Sequence, residues 1–347
     1  MTLPNSIAVF GTQVATGLEK VITDCNAIED NGWWAITQTF EGHFLGFKFS
    51  QVQPLTETSL ASYSHSGIDN SAWGSSMSRA EYMSAVETIR DDISAGWVYQ
   101  TNLCRILSAQ LAEDFDPIGF LKLLQVHNPS PYLSALYIPK HESGLAQDVR
   151  IASASPELFL RRHQSTIMTS PIKGTAAGKS GLLEKDRAEN VMIVDLMRND
   201  LAEVCIAGSV LVPELLRLEQ HPGLVHLVSD VQGELEPDTT WAHILDRIMP
   251  PGSVSGAPKS SSLEVIRRLE SVQRESYCGI VGWIDQDTVT AELAVGIRTF
   301  WQNTMNGQRK LNFGTGAGIT WGSDPAGEWE ETELKARRLL AIAAMST

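Results

Sequence analysis

Residues 157–175 read ELFLRRHQSTIMTSPIKGT. ELFLRR (157–162) and TIMTSPI (166–172) are rich in aromatic, β-branched and long apolar side chains, and only the turn HQS separates them. That pattern predicts two strands joined as a hairpin. Antiparallel pairing carries Glu157, at the start of the first strand, towards Lys173, just past the end of the second. A carboxyl and an amine brought together in this way suit a proton donor and a nucleophile. A structural salt bridge accounts for the same spacing equally well.

Outward from the hairpin, WVYQTNLCRIL (97–107), YLSALYI (132–138) and VRIASA (149–154) read as strands on one side. YCGIVGWI (277–284), LAVGIRTF (293–300) and KLNFGTG (310–316) do so on the other. Helical patterns cover about 185–204, 241–249, 260–271 and 327–343. A further helix opens at Ser78, where Ser78 and Glu81 form a capping box and Met83, Val86, Ile89 and Ile93 share an apolar face. The first 60 residues hold the short strand-like runs SIAVF, WWAI and FLGFKF, and 61–77 is a Ser-, Gly- and Asn-rich loop. Hairpins and helices come in groups and do not alternate, so the fold class is α+β. Residues 1–77 are expected to be a short strand-rich segment and linker of the same fold, and 78–347 a catalytic domain.

The formal net charge is −14, which opposes generic binding to nucleic acid or to an anionic membrane. An anionic small substrate stays compatible, because local cations or a bound metal reverse the field inside a pocket. Cys25, Cys104, Cys205 and Cys278 form no CxxC pair and no metal-ligand spacing, so buried free thiols in a reducing compartment are expected. The first residues lack a basic and long apolar leader, and no apolar run is long enough to span a bilayer. The expected location is the cytoplasm.

Two helical segments each open with acids three residues apart, Asp186 with Glu189 and Glu328 with Glu331. Such pairs share a helix face and supply the hard oxygens that Mg²⁺ takes. Each pair by itself is also what the helix macrodipole favours. Lys335 lies one turn beyond Glu331, a spacing that an ordinary surface ion pair satisfies too. FGTGAGI (313–319) and PPGSVSGAPKS (250–260) are glycine-rich but miss the spacings of nucleotide-binding loops. Their backbone amides can still face a carboxylate, or they are simply tight turns.

Taken together, SPELFL (155–160), PIKGT (171–175), ENVMIVDLMRNDLAEV (189–204), LVHLVS (224–229), PPGSVSGAPK (250–259), YCGIVGW (277–283), VGIRTF (295–300), GAGI (316–319) and EWEETELKA (328–336) resemble the chorismate-utilising enzymes. The resemblance runs through about residues 78–343 in order. It implies a two-lobed α+β fold of two packed β-sheets flanked by helices, with the active site between them. It implies that Glu189 and Glu331 bind Mg²⁺, with Asp186 (Glu elsewhere in the family) and Glu328 beside them. Tyr277, Arg298, Lys335 and Thr175 fall at substrate-binding positions, and Gly316 and Gly318 offer backbone amides to a carboxylate. Glu157 matches the general acid, and His226 sits by the reacting ring. The RND tripeptide (198–200) is shared and expected to be structural.

Two positions sort the activities within this family. Where water-activating members carry Lys, this chain has Gln100. Where anthranilate synthases carry Ala, it has Lys173, as aminodeoxychorismate synthases do. The resemblance therefore implies amination of chorismate at ring carbon four, a step towards para-aminobenzoate and folate. It implies ammonia supplied by a separate glutamine amidotransferase subunit. Anthranilate synthase component I is the alternative enzyme, and a non-catalytic chorismate-binding protein the alternative without chemistry. The segment before Ser78 shows no tryptophan-binding motif, so tryptophan binding is not expected.

Overall fold

The hairpin forms in the computed structural model, which describes residues 5–176, 184–221, 224–305 and 307–347. In chain order the strands are β1 (Ile7–Phe10), β2 (Gln13–Ile22), β3 (Trp33–Gln38), β4 (Phe44–Pro54), β5 (Trp73–Ser75), β6 (Gln100–Gln110), β7 (Tyr132–Ile138), β8 (Val149–Ser155), β9 (Leu158–His163), β10 (Thr166–Ser170), β11 (Ile172–Ala176), β12 (Leu211–His221), β13 (Leu224–Glu234), β14 (Gly256–Ala257), β15 (Ile280–Asp285), β16 (Thr290–Val295), β17 (Thr299–Met305) and β18 (Gln308–Ile319). The helices are α1 (Glu57–Leu60), α2 (Arg79–Ser94), α3 (Pro117–His127), α4 (Lys140–Ser143), α5 (Glu184–Ala202), α6 (Trp241–Ile248), α7 (Lys259–Leu269) and α8 (Pro325–Ala343).

Followed from neighbour to neighbour, one half of the ladders runs β12–β13–β10–β9–β16–β15–β3–β4. The other half continues β4–β2–β1–β7–β8–β17–β18–β6. β11 shares β13 with β10, and β5 and β14 lie on β6. Every one of these pairings is antiparallel, as a sheet built from hairpins requires, and the fold is α+β. The two expected sheets are joined at their edges into a single ribbon.

Alternation along the strands divides the side chains between cores. Leu136, Ile138, Ile151, Cys104 and Ile106 enter a core shared with Trp34, Ile36, Leu160 and Leu293 of the other half. Their neighbours Ala135, Tyr137, Ala152, Leu107 and Ala109 enter a second core, closed by Ile118 and Leu121 of α3 and Leu339 and Ile342 of α8. A third, smaller core sets α2 and α7 against Leu103, Ala317 and Ile319.

The Ser78 capping box is present: Ser78 N donates to Glu81 Oε2 at 2.7 Å and Glu81 N to Ser78 Oγ at 3.3 Å. Such a cap contributes about 1 kcal/mol. The buried face of α2 is Tyr82, Ala85, Val86 and Ile89, rotated slightly from the expected one. Tyr82 can occupy it because its hydroxyl donates to Leu103 O at 3.2 Å.

Several elements depart from the sequence reading, among them β2 and the short β5 within the expected loop 61–77. α3 was not anticipated, although Asp116 accepts from Ile118 N and Gly119 N and Pro117 stands at its first turn; its apolar residues are too dense to show a helical period. The long hairpin of β12 and β13 was not anticipated as strands either. The run 293–300 is broken between β16 and β17, where Arg298 has φ of 52°. Among the described residues, no helix is long and apolar enough to cross a membrane.

Candidate functional site

β9 and β10 pair with Ser170 opposite Leu158. This register puts Glu157 and the start of β11 at the same end of the hairpin. Glu157 is buried, with its amide donating to Ser155 Oγ and its carbonyl accepting from Val295 N at 3.1 Å. Its carboxyl lies in the electrostatic field of the Ser253 hydroxyl, Lys173 and Lys335. Burial raises its pKa above the usual carboxylate value, against the opposing pull of Ser253 and the two lysines. Lys173 shows the opposite behaviour. Burial of its amine lowers its pKa and the neighbouring charge of Lys335 lowers it further, against Glu157, Glu189 and Glu331. Glu157, Lys335, Glu189 and Glu331 thus all act electrostatically on the Lys173 amine.

The two helices deliver the acids. Glu189 lies early in α5, and Glu328 and Glu331 early in α8. Glu328 is buried, and Glu331 Oε1 stands 2.6 Å from Lys335 Nζ, both side chains about half exposed at the mouth of the site. Lys335 is more than the surface partner of Glu331: its Nζ also donates to Gly316 O at 3.0 Å. The side chains of Asp186 and Thr175 lie outside the described residues. Backbone register sets Thr175 opposite His226, which is buried on β13 and faces Glu219 on β12.

The glycine-rich strand is half open. β17 pairs with β18 only as far as Phe313, so Gly314–Ile319 keep β6 on one edge and no strand on the other among the described residues. The Lys335 bond shows that the Gly316 carbonyl faces that open edge. A residue's N–H and C=O share an edge of an extended strand, so the amides of Gly316 and of Gly318, two residues on, face it too. Backbone leaves Gly316 no room for a side chain, and at Gly318 the Gln100 side chain would have to move. A Cβ on Gly316 would stand 2.5 Å from Leu103 O, and one on Gly318 2.5 Å from Gln100 Nε2. Tyr277 is buried with its ring against Gly314, and burial keeps its phenol protonated.

Arg298 sits in the break between β16 and β17. Its left-handed backbone is a strained conformation for a non-glycine residue, of the kind that gathers at binding sites. Its guanidinium is largely desolvated and feels Arg338 of α8, and both lower its pKa. Among the described residues it meets no carboxylate. A desolvated cation with nothing to neutralise it is suited to an anionic ligand.

Carboxylates dominate the donor set around Lys173, and oxygen ligands suit a hard divalent cation. Among the described residues, no three His, Cys, Asp or Glu groups close around one metal-sized point. Mg²⁺ needs only one or two protein carboxylates beside water and substrate oxygens, so Glu189 and Glu331 fit it in kind.

Ser253 is the site residue that the sequence reading missed. PPGSVSGAPKS was noted for its glycines, and nothing in the linear sequence set this hydroxyl apart from its neighbours. All four thiols are free, three of them buried. Burial pushes Cys25 and Cys205 up to about 12.

Residues 48–341 match the model of the chorismate binding enzyme family. Anthranilate synthase component 1 of Mycolicibacterium smegmatis is 35% identical over 308 residues, 85% of this chain and 56% of that protein. Aminodeoxychorismate synthase component 1 of Escherichia coli is 36% identical over 286 residues, 78% of this chain and 59% of that protein. Further similar sequences from Mycobacterium bovis, Synechocystis and Saccharolobus solfataricus carry the former name. The chain spans roughly half the length of these relatives. Among solved structures, anthranilate synthase component I from Streptococcus pneumoniae superposes with a TM-score of 0.78 at 22% identity, covering 98% of this chain and 93% of that one. The menaquinone-specific isochorismate synthase from Escherichia coli gives 0.76 at 16% identity, covering 97% and 88%; both likenesses concern the fold.

Proposed function

The chain belongs to the chorismate binding enzymes, and we propose that within that family it aminates chorismate at ring carbon four, giving 4-amino-4-deoxychorismate. The observation that carries this reading is Lys173, an amine in a buried setting that disfavours its ammonium form, facing a carboxyl whose setting disfavours the carboxylate. Opposed shifts in one pocket separate a nucleophile from a proton donor. The family resemblance assigns Ala to this position in typical anthranilate synthases, and Lys173 departs from that pattern.

In this reading the neutral Lys173 amine bonds to ring carbon two. Both ring double bonds shift by one position, from carbons one–two and five–six to one–six and four–five, and the carbon four–oxygen bond breaks. Glu157 gives its proton to the departing hydroxyl, which leaves as water. Ammonia then bonds to carbon four, both double bonds return, the lysine amine leaves carbon two, and the ammonia's surplus proton restores Glu157. Arg298, Lys335 and the amides of Gly316 and Gly318 receive the substrate carboxylates. His226 and Tyr277 enclose the ring from β13 and from the turn before β15. Glu189 and Glu331, with Asp186 and Glu328 beside them, would hold Mg²⁺. When bound, that ion supplies positive charge for a ring carboxylate. The ammonia is assigned to a separate amidotransferase, since three of the four thiols are buried and desolvation raises the pKa of the fourth, Cys25.

The test supplies chorismate, Mg²⁺ and ammonium and identifies products by mass. Aminodeoxychorismate from the wild type, and its loss in Lys173→Ala with chorismate binding retained, are expected. Anthranilate as the wild-type product, or Lys173→Ala working at near wild-type rate, refutes the reading.

A further inference from the structure

Helix α8 carries Glu328, Glu331 and Lys335, so its setting on the sheet decides where those groups stand. Thr332 of the same helix is fully buried, and two residues of the sheet grip it. The Thr315 hydroxyl of β18 donates to Thr332 O at 3.0 Å, and Arg105 Nε of β6 donates to Thr332 Oγ1 at 3.0 Å. Thr315 and Arg105 are direct partners in the β18–β6 ladder. Residues opposite one another on antiparallel strands share a face of the sheet, which is why both reach the same helix residue.

Arg105 also uses the rest of its guanidinium. Nη1 donates to Ser75 Oγ at 3.2 Å, Nη2 donates to the Glu333 carboxylate, and Cζ lies 4.1 Å from the centre of the Trp329 ring. Thr332 Oγ1 itself donates to Trp329 O at 2.8 Å. Arg105 therefore holds Trp329, Thr332 and Glu333, a little more than one turn of α8. A planar fork with a flat face meets these partners together, and an ammonium does not.

The grip adjoins the site at both ends. Gly316 follows Thr315 on the strand, and Lys335 lies three residues beyond Thr332 on the helix. Lys335 Nζ donates to Gly316 O at 3.0 Å and stands 2.6 Å from Glu331 Oε1. From Thr315 to Gly316 the strand advances about 3.3 Å, and from Thr332 to Lys335 the helix advances about 4.5 Å. These similar steps let two consecutive strand residues meet α8 at two points, and the first contact fixes where the second falls. A helix that slides or turns on β18 carries the Lys335 amine with it.

We propose that Arg105 and Thr315 are positioning residues, a key that sets α8 against β18 and so holds the Lys335 ammonium at the open edge beside Gly316. Both are only 2% exposed, so they act through Lys335 and not by touching substrate. The inference rests on the reading of Lys335 as the partner of a substrate carboxylate.

The experiment measures the Kd of chorismate by titration calorimetry with Mg²⁺ and without ammonia, and Tm alongside it. Lys335→Met gives the loss caused by removing the ammonium itself. Thr315→Val, isosteric but without the hydroxyl, and Arg105→Lys are each expected to weaken binding about tenfold. Thr315→Ser keeps the hydroxyl and should bind as the wild type does. In the Lys335→Met background, Thr315→Val should add less than about twofold. A merely structural role lowers Tm and the active fraction, and leaves the Kd of the folded protein in place. An unchanged Kd in Thr315→Val or in Arg105→Lys, equal losses in Thr315→Val and Thr315→Ser, or the full loss repeated in the Lys335→Met background overturns the key. If Arg105→Lys does not fold, Thr315→Val and its double variant decide by the same criterion. If Lys335→Met binds chorismate as tightly as wild type, the reading of Lys335 has failed, and the key inference falls with it.

Discussion

Gly316→Ala is the sharpest structural test of the site. The added methyl would lie 2.5 Å from Leu103 O, 2.8 Å from Cys104 Sγ and 3.1 Å from Cys104 Cα. Two of these atoms belong to the backbone of β6, paired with β18 along the whole segment Thr101–Gln110, so no side-chain rotation relieves the clash. Restoring ordinary contact distances means parting the strands by about 1 Å. Overpacking of this kind costs about 1–3 kcal/mol, which in a large domain lowers Tm by about 2–6 °C. The displacement also moves the acceptor of Lys335 and the open-edge amides, and a shift of about 1 Å in substrate-positioning groups lowers kcat/KM by about 100-fold. Calorimetric melting and initial rates with chorismate measure both effects. Gly322→Ala is the control, because nothing lies within 4 Å of its Cβ position. A Gly316→Ala protein with wild-type Tm and kcat/KM would show that the ladder is looser, or the site elsewhere, than reasoned here.

Glu157→Gln is expected to gain stability relative to wild type as pH rises. The raised pKa of Glu157 means that its burial penalty appears above the ordinary carboxylate pKa and is complete above the folded one. For Lys173→Met the sign reverses: the lowered pKa of Lys173 puts the penalty at low pH, so the variant's advantage shrinks towards the lysine range. Melting temperatures across pH check both, and a difference that does not vary with pH contradicts the shifts. Glu189→Ala or Glu331→Ala should abolish Mg²⁺-dependent turnover with the fold intact by circular dichroism; full activity of either variant in EDTA rejects the metal assignment. Glutamine alone should yield no product, whereas ammonium should, and glutamine-dependent turnover by the purified chain would contradict the burial argument for its thiols.

Local chemistry made much of this protein readable in the sequence. The Ser78 cap, the β9–β10 hairpin, the acid-opened helices and the α+β class each depend on residues a few positions apart, so their physics is present in the linear order. The same holds for the identity of Lys173 and Gln100. Tertiary structure decided what such short-range signals cannot carry. Whether Glu157 and Lys173 form an ordinary salt bridge or a pair with opposed proton affinities depends on how much water surrounds them. That is set by strands, loops and helices far apart in sequence. Arg298 reads as a strand residue until the backbone break, and its desolvation, turn it into a cation that meets no carboxylate among the described residues. Dielectric environment belongs to the packed molecule, because it is a sum over neighbours that the sequence does not place side by side.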